Sequence, residues 1–312
     1  MHDHGHDDSH AGHHHHTVSA ADAASTAFIV GIILNSAYVI VEAAMGFIDH
    51  SMALLSDAGH NLGDVASLIL SLIAFRLAKV KPTDSFTYGY KKSTILAALT
   101  NAVILLVSVG LLSYESVKQL MHPHPVAGGT MAIVAGIGIV VNFGSAFLFF
   151  KHKDKELNTR GAYLHLMADA LVSLGVVIAG IIVQYMHWYW LDGAASLGIL
   201  LVILISTWSL LTGSLRLTLD AVPADIKKQQ IELSVLKIKG VQSIHHMHIW
   251  AMSTTENALT AHLIPDEALS FDEKLALVHR IKHELQHLNI HHSTIELESA
   301  SVQCEEKICD HK

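Results

Sequence analysis

Residues 53–77 read ALLSDAGHNLGDVASLILSLIAFRL. Crossing a bilayer as a helix takes about 20 predominantly apolar residues, and this stretch is long enough, although it carries Asp57, His60 and Asp64. A charged Asp at the centre of a membrane helix costs about 2.5–3.5 kcal/mol even on a lenient insertion scale. Residues four apart lie on one face of a helix, one turn above each other. The helix predicted here therefore presents the His60 imidazole and the Asp64 carboxylate side by side.

Five further stretches have the length and apolarity of a membrane span: Thr26–Phe47, Ile95–Tyr114, Met131–Phe150, Ala162–Gln184 and Trp190–Thr212. The fifth of the six spans repeats the couple as His165-Leu166-Met167-Ala168-Asp169. Two helices facing each other would supply two imidazole nitrogens and two carboxylate oxygens, a full tetrahedral set for Zn²⁺. The competing reading is that these groups hydrogen-bond between helices and hold the bundle together. Packing needs no second copy at identical spacing, so the repeated couple points to a transported metal ion.

Composition agrees with a lipid-embedded portion. Only 15% of the 312 residues are charged and 51% are hydrophobic, against about 25% charged in an ordinary soluble domain. The net charge of −8 and the lack of a basic stretch give no support to nucleic-acid binding. Two cysteines, Cys304 and Cys309, make no disulfide framework. No Lys or Arg precedes Arg76, so the positively charged start of a secretory signal is not expected.

Orientation follows from the basic residues. The loop after the second span holds Arg76, Lys79, Lys81, Lys91 and Lys92, and the loop after the fourth holds Lys151, Lys153, Lys155 and Arg160. The opposite side offers Lys118, and the loop after the fifth span has Trp188, Tyr189 and Trp190 in place of basic residues. The expectation is a multi-pass integral protein of the bacterial inner (cell) membrane with both termini cytoplasmic.

Beyond Asp220 the composition becomes that of a soluble domain. Pro223–Lys237 reads as a helix, Val241–Met252 and Ala258–Ile264 as strands, Phe271–Leu288 as an amphipathic helix and Ser293–Glu298 as a third strand. This α-β-β-α-β order is compatible with a small α+β sandwich of ferredoxin-like type. The predicted architecture is thus a polar His-rich tail (1–25), a six-helix transmembrane domain (26–214), a cytosolic ferredoxin-like domain (215–300) and a C-terminal tail (301–312).

Other polar residues inside the spans carry two readings. Asp57 lies one turn before His60, where it lines the approach or orients His60. Glu42, Asn101, Asn142 and Ser173 form part of a wet path or make packing hydrogen bonds. Asp192 sits at a membrane edge, where it is expected to cap the sixth span.

The strings Ser51-Met52-Ala53-Leu54-Leu55-Ser56-Asp57-Ala58-Gly59-His60, Phe86-Thr87-Tyr88-Gly89-Tyr90, Gly161-Ala162-Tyr163-Leu164-His165 and His245-His246-Met247-His248-Ile249-Trp250 resemble the cation diffusion facilitator family, in its zinc-exporting branch of cobalt-zinc-cadmium resistance and vesicular zinc transporters. The resemblance covers nearly the whole chain. It implies a homodimer, a six-helix domain with a cytosolic ferredoxin-like domain, and exchange of metal for protons. It places the transport ligands on His60, Asp64, His165 and Asp169, and a cytosolic metal site near His245 and His262 with Glu298 as a further position. Zn²⁺ is expected as substrate and as a regulatory ligand of the cytosolic domain.

Histidine is abundant elsewhere, with 25 in the chain and eight in the first sixteen residues. The N-terminal cluster either collects cytosolic zinc or is a dispensable tail. Alternation along the strand predicts His246, His248 and Trp250 on one face and His245, Met247 and Ile249 on the other. His283-Glu284-Leu285-Gln286-His287 matches the zincin protease pattern. It falls on a helix whose apolar stripe (Phe271, Leu275, Val278, Ile281, Leu285, Leu288) docks on a small sheet, and no third ligand follows at metzincin spacing. Rival functions are a membrane metalloprotease, a metal sensor that does not transport, and a channel. A nucleotide-driven pump lacks its Gly-rich phosphate loop.

Overall fold

The computed structural model describes residues 20–150 and 157–300, with side chains from residue 33 onward except 68, 148–150, 157–162, 164 and 165. Six long helices come first: α1 Ala20–Ile48, α2 Met52–Ala78, α3 Ser93–Met121, α4 Gly128–Phe150, α5 Leu157–Met186 and α6 Trp190–Thr218. Among the described residues, α2, α3, α4, α5 and α6 are long and apolar enough to cross a membrane, and α1 contributes the shorter apolar stretch Ile33–Ile48. Phe47, Ile69, Leu111, Val140, Leu171 and Ile205 stand exposed on these helices. Large apolar side chains over so much surface need lipid, not water, around them. The N-terminal histidines, Lys151, Lys153, Lys155, Cys304 and Cys309 lie outside the described residues.

The chain divides into two compact units, residues 1–58 with 122–195, and residues 59–121 with 196–312. In the first, α4 packs against both α1 and α5. Glycines set the closeness of that packing. A Cβ on Gly180 would lie 2.8 Å from the Ala132 nitrogen, and one on Gly128 2.5 Å from the Gly180 carbonyl oxygen. Small residues let membrane helices approach this closely and gain dispersion contacts that lipid cannot match.

The N-terminus of α2 is pinned in the same unit. Leu54 N–H donates to Ser51 Oγ at 3.3 Å. Ser51 Oγ donates to Asp192 at 2.6 Å, and the Met52 and Ala53 amides donate to the same carboxylate at 2.7 and 3.2 Å. These are the amides that a helix start leaves without intrahelical partners. Asp192 lies in the first turn of α6, but the expectation that it caps that helix is corrected: its carboxylate closes α2.

In the second unit, Gly59 and Gly63 of α2 face α3. A Cβ on Gly63 would fall 2.3 Å from Leu105 Cδ2, and one on Gly59 3.1 Å from Leu112 Cδ1. After the membrane helices in chain order come α7 Lys228–Leu236, β1 Val241–Ala251, β2 Asn257–Pro265, α8 Phe271–His287 and β3 Ile290–Leu297. The sheet order is β1-β2-β3, with β1 antiparallel and β3 parallel to β2. A parallel neighbour needs a crossover, and α8 supplies it. The core is built from Ile231, Val235, Ile249, Leu259, Leu263, Leu277, Ile281, Leu285 and Ile290.

Two predictions on these elements are corrected. The buried stripe of α8 is Leu277, Ile281 and Leu285, spaced four apart, whereas Phe271 and Leu275 are exposed. The first cytosolic helix starts at Lys228, not Pro223, because Pro223–Ile226 closes a turn first. The helix α8 opens on a capping box, in which Ser270 Oγ receives the Glu273 amide and the Glu273 carboxylate receives the Ser270 amide.

Candidate functional site

On α2 the predicted couple forms. His60 Nε2 lies 3.8 Å from Asp64 Oδ2, with both side chains partly exposed. The glycines one residue earlier, Gly59 and Gly63, are spent on contact with α3. One residue is a rotation of about 100° on a helix, so the couple is turned off the α3 face.

On α5, Asp169 is 3% exposed and lies among Leu166, Ala170 and Ser173, all buried. The His165 side chain lies outside the described residues; its backbone belongs to the same unbroken helix, four residues before Asp169. Ser173 donates from Oγ to Asp57 Oδ2 at 3.2 Å, both residues being fully buried. Of the two readings of Ser173, the packing bond is therefore present, and it ties Asp57 at the start of α2 to α5 one turn beyond Asp169.

Glu42 is wholly buried and receives the Tyr38 hydroxyl at 2.6 Å. The same hydroxyl approaches the Val134 carbonyl oxygen at 3.4 Å, in space left by Gly138, where a Cβ would fall 2.2 Å from it. Tyr38 was not singled out from the sequence. Its signal was a phenol four residues before an acid in an apolar helix, a spacing that lets one turn satisfy the acid. Asn101 and Asn142 are buried, and Asn101 Oδ1 and both amide atoms of Asn142 have no hydrogen-bond partner among the described residues. Buried amides in that condition call for water.

The cytosolic site forms on the sheet face opposite the helices. His245 Nε2 lies 2.9 Å from Glu298 Oε2, and His262 Nδ1 lies 2.6 Å from Glu298 Oε1. One ligand atom from each of the three residues falls within 4.8 Å of the others. They are joined across the strands because His245 is the register partner of His262, and the Glu298 amide bonds to the Leu263 carbonyl at 2.9 Å. Two nitrogens and a carboxylate at this separation suit a tetrahedral divalent ion with one position left open.

Strict alternation on β1 does not survive. The pairing shifts between His245 and His248, and His246 has φ +49°. This is a β-bulge, one extra residue that re-aims the side chains after it. Ile244, Met247, Ile249 and Ala251 are buried on the core side, so His245 is not on the face of Met247 and Ile249 as predicted. It shares the open face with His246, His248 and His262.

His283 and His287 have ring centroids 4.8 Å apart on α8, both exposed to solvent. Among the described residues no third ligand joins them. The Glu273 carboxyl is held below its usual value by hydrogen bonds from the Ser270 hydroxyl and amide.

Comparison with known proteins bears on the whole chain. Residues 28–217 match the cation efflux transmembrane domain, and residues 223–300 match the cytoplasmic domain of cation efflux proteins. A "Cadmium, cobalt and zinc/H(+)-K(+) antiporter" of Bacillus velezensis is 36% identical over 292 residues, 93% of each chain. The "Metal cation efflux system protein CzcD" of Cupriavidus metallidurans is 34% identical over 87% of this chain and 85% of its own. The "Zinc transporter ZitB" of Escherichia coli is 33% identical over 85% of this chain and 84% of its own. With the transmembrane match alone spanning more than half of the residues, this multi-pass membrane protein belongs to the cation efflux family, whose members are transporters and not enzymes.

Proposed function

We propose that the chain exports Zn²⁺, or a close relative such as Cd²⁺ or Co²⁺, from the cytoplasm in exchange for protons, through a site made by His60, Asp64, His165 and Asp169. The observation that carries this reading is the His60–Asp64 couple, one turn apart inside an apolar helix, together with the burial of Asp169 on α5. Two imidazoles and two carboxylates suit Zn²⁺, whereas an all-carboxylate set suits Mn²⁺. The relatives named for zinc, cadmium and cobalt support the same class.

Metal ligation needs neutral imidazoles and ionised carboxylates, so binding expels protons and protonation expels metal. An inward proton gradient then drives metal outward as the site is exposed to each side in turn. We place the protein in the inner membrane of a bacterium as a dimer with both termini cytoplasmic. Domain limits at residues 26–214 and 215–300 fit this reading, with His245, His262 and Glu298 binding a regulatory ion in the cytosol.

The test is zinc flux in proteoliposomes with pH set on both sides. Asp169→Ala is expected to abolish flux while thermal unfolding in detergent stays near the parent's. Parental flux from Asp169→Ala sinks the site assignment, and flux indifferent to the pH gradient sinks the antiport. A peptidase assay on the parent and His283→Ala, expected to be blank for both, disposes of the protease reading.

A further inference from the structure

The second unit holds a cavity that no histidine lines. It opens between the end of α6 and the turn that joins β1 to β2, with a volume of about 590 Å³, inside the range of about 300–1,000 Å³ that small-molecule sites occupy. Ser209, Thr212, Gly213 and Arg216 line it from α6. They stand three, four and seven residues on from the first, which is one face of a helix. The space is open at Gly213, where a Cβ would meet nothing within 4 Å. Asp225, Thr254 and Asn289 line it from the cytoplasmic domain.

Two opposite charges share this cavity without meeting. Lys91 and Lys92 of the same unit are paired with Glu256 and Asp220, whereas the Arg216 guanidinium and the Asp225 carboxylate have no partner among the described residues. A guanidinium presents a planar fork to phosphate oxygens, and a carboxylate accepts from an ammonium. A ligand that answers both is a zwitterion.

The depth of the cavity selects among zwitterions. The helix α6 has 29 residues, about 43 Å at the rise of an α-helix, against a hydrocarbon core of about 30 Å. Arg216 lies in its last turn, and its charge keeps that end out of the hydrocarbon. The exposed ring of Trp208, two turns earlier, suits the headgroup boundary. The cavity therefore opens in the headgroup layer, with Ile205 and Leu215 exposed on the same helix to meet acyl chains.

We propose that this cavity seats the headgroup of an aminophospholipid of the phosphatidylethanolamine class, with its phosphate diester on Arg216 and its primary ammonium on Asp225. The hydroxyls of Ser209 and Thr254 line the same space and supply donors for the remaining phosphate oxygens. Soluble phosphoethanolamine carries the same two charges, but the depth of the site and the apolar side chains beside it favour the lipid. A lipid so held bridges the end of α6 and the turn around Thr254, and thereby the membrane and cytoplasmic domains.

The test is native mass spectrometry of the full chain in detergent, with dioleoyl lipids added at known concentration. Phosphatidylethanolamine is expected to bind about tenfold tighter than phosphatidylcholine, whose methyl groups remove the N–H donors, and than phosphatidylglycerol, which has no ammonium. Arg216→Gln is expected to weaken phosphatidylethanolamine binding by about tenfold or more, as loss of a charge-assisted hydrogen bond does. Asp225→Asn should erase the preference over phosphatidylcholine. Both side chains are exposed, so both variants should melt as the parent does, and the lipid preference of the parent is read without either of them. Arg76→Gln, exposed in the last turn of α2 and outside the cavity, should change nothing. Equal binding of the three lipids, or an equal loss in Arg76→Gln, would mean diffuse lipid attraction and overturns the site. A preference for phosphatidylglycerol that Arg216→Gln removes and Asp225→Asn spares would make this an anion site and overturns the zwitterion. If soluble phosphoethanolamine displaces the lipid at equal concentration, the occupant is a free zwitterion and the lipid assignment fails.

Discussion

Asp192→Asn tests how the start of α2, and with it the helix that carries His60 and Asp64, is held. The parent carboxylate is fully buried and accepts three hydrogen bonds, from Ser51 Oγ, Met52 N and Ala53 N, at 2.6, 2.7 and 3.2 Å. Asn has one acceptor oxygen and two N–H donors, so in either orientation at least one of the three donors faces another N–H. A hydrogen bond to a charged group contributes about 1.5–3 kcal/mol, and a neutral acceptor gives roughly half of that. At the lower end of these figures, one bond lost and two weakened amount to a destabilisation of about 3 kcal/mol. At about 2–4 °C per kcal/mol for a domain of this size, Tm should fall by about 6–12 °C. The assay is thermal unfolding in detergent followed by intrinsic fluorescence, with zinc flux measured on the same preparation. A Tm within about 2 °C of the parent would refute the capping argument. If flux were lost at that unchanged Tm, Asp192 would be a permeation group and not a structural one.

Two further outcomes follow from the geometry. Gly180→Ala should destabilise the protein by about 1–3 kcal/mol, because its Cβ would meet backbone atoms of Ala132 and Gly128 that cannot yield. Gly110→Ala, where a Cβ meets nothing within 4 Å, should be neutral or stabilising; equal melting shifts for the two variants would contradict the packing account. The Glu273 carboxyl titrates below its usual value of about 4.5 because the Ser270 hydroxyl and amide bond to its ionised form. A depressed folded-state value means that its contribution is present above the unfolded value and is lost as pH falls through the folded one. Amide exchange in residues 271–274 should therefore depart from its intrinsic pH dependence as pH falls below about 4.5, and Glu273→Gln should abolish that departure.

The histidine-rich sheet shows where reading along a chain stops being sufficient. Alternation put His245 on the face of Met247 and Ile249 because a strand without interruption has a period of two. One extra residue moves every side chain after it to the other face, and nothing in the string HHMH announces the insertion. The bulge exists because Ile244 and Met247, three apart, both pack into the core under the constraint of pairing with β2. Asp192 is a similar case. Its own helix was the natural partner by local rules, yet the amides it satisfies belong to a segment about 140 residues earlier.

The sequence by itself determined the lipid-spanning helices, the α-β-β-α-β order of the cytosolic domain, and the imidazole–carboxylate couple on α2. Each of these is a local consequence of hydrophobic length, periodicity or four-residue spacing, which the chain carries whatever its neighbours do. Only the tertiary structure decided which acid closes α2, that Tyr38 serves Glu42, that Ser173 holds Asp57, and that four histidines share one face with Glu298. Those depend on contacts between distant segments, set by close packing at glycines and by strand register, and neither is a property of any one stretch of sequence.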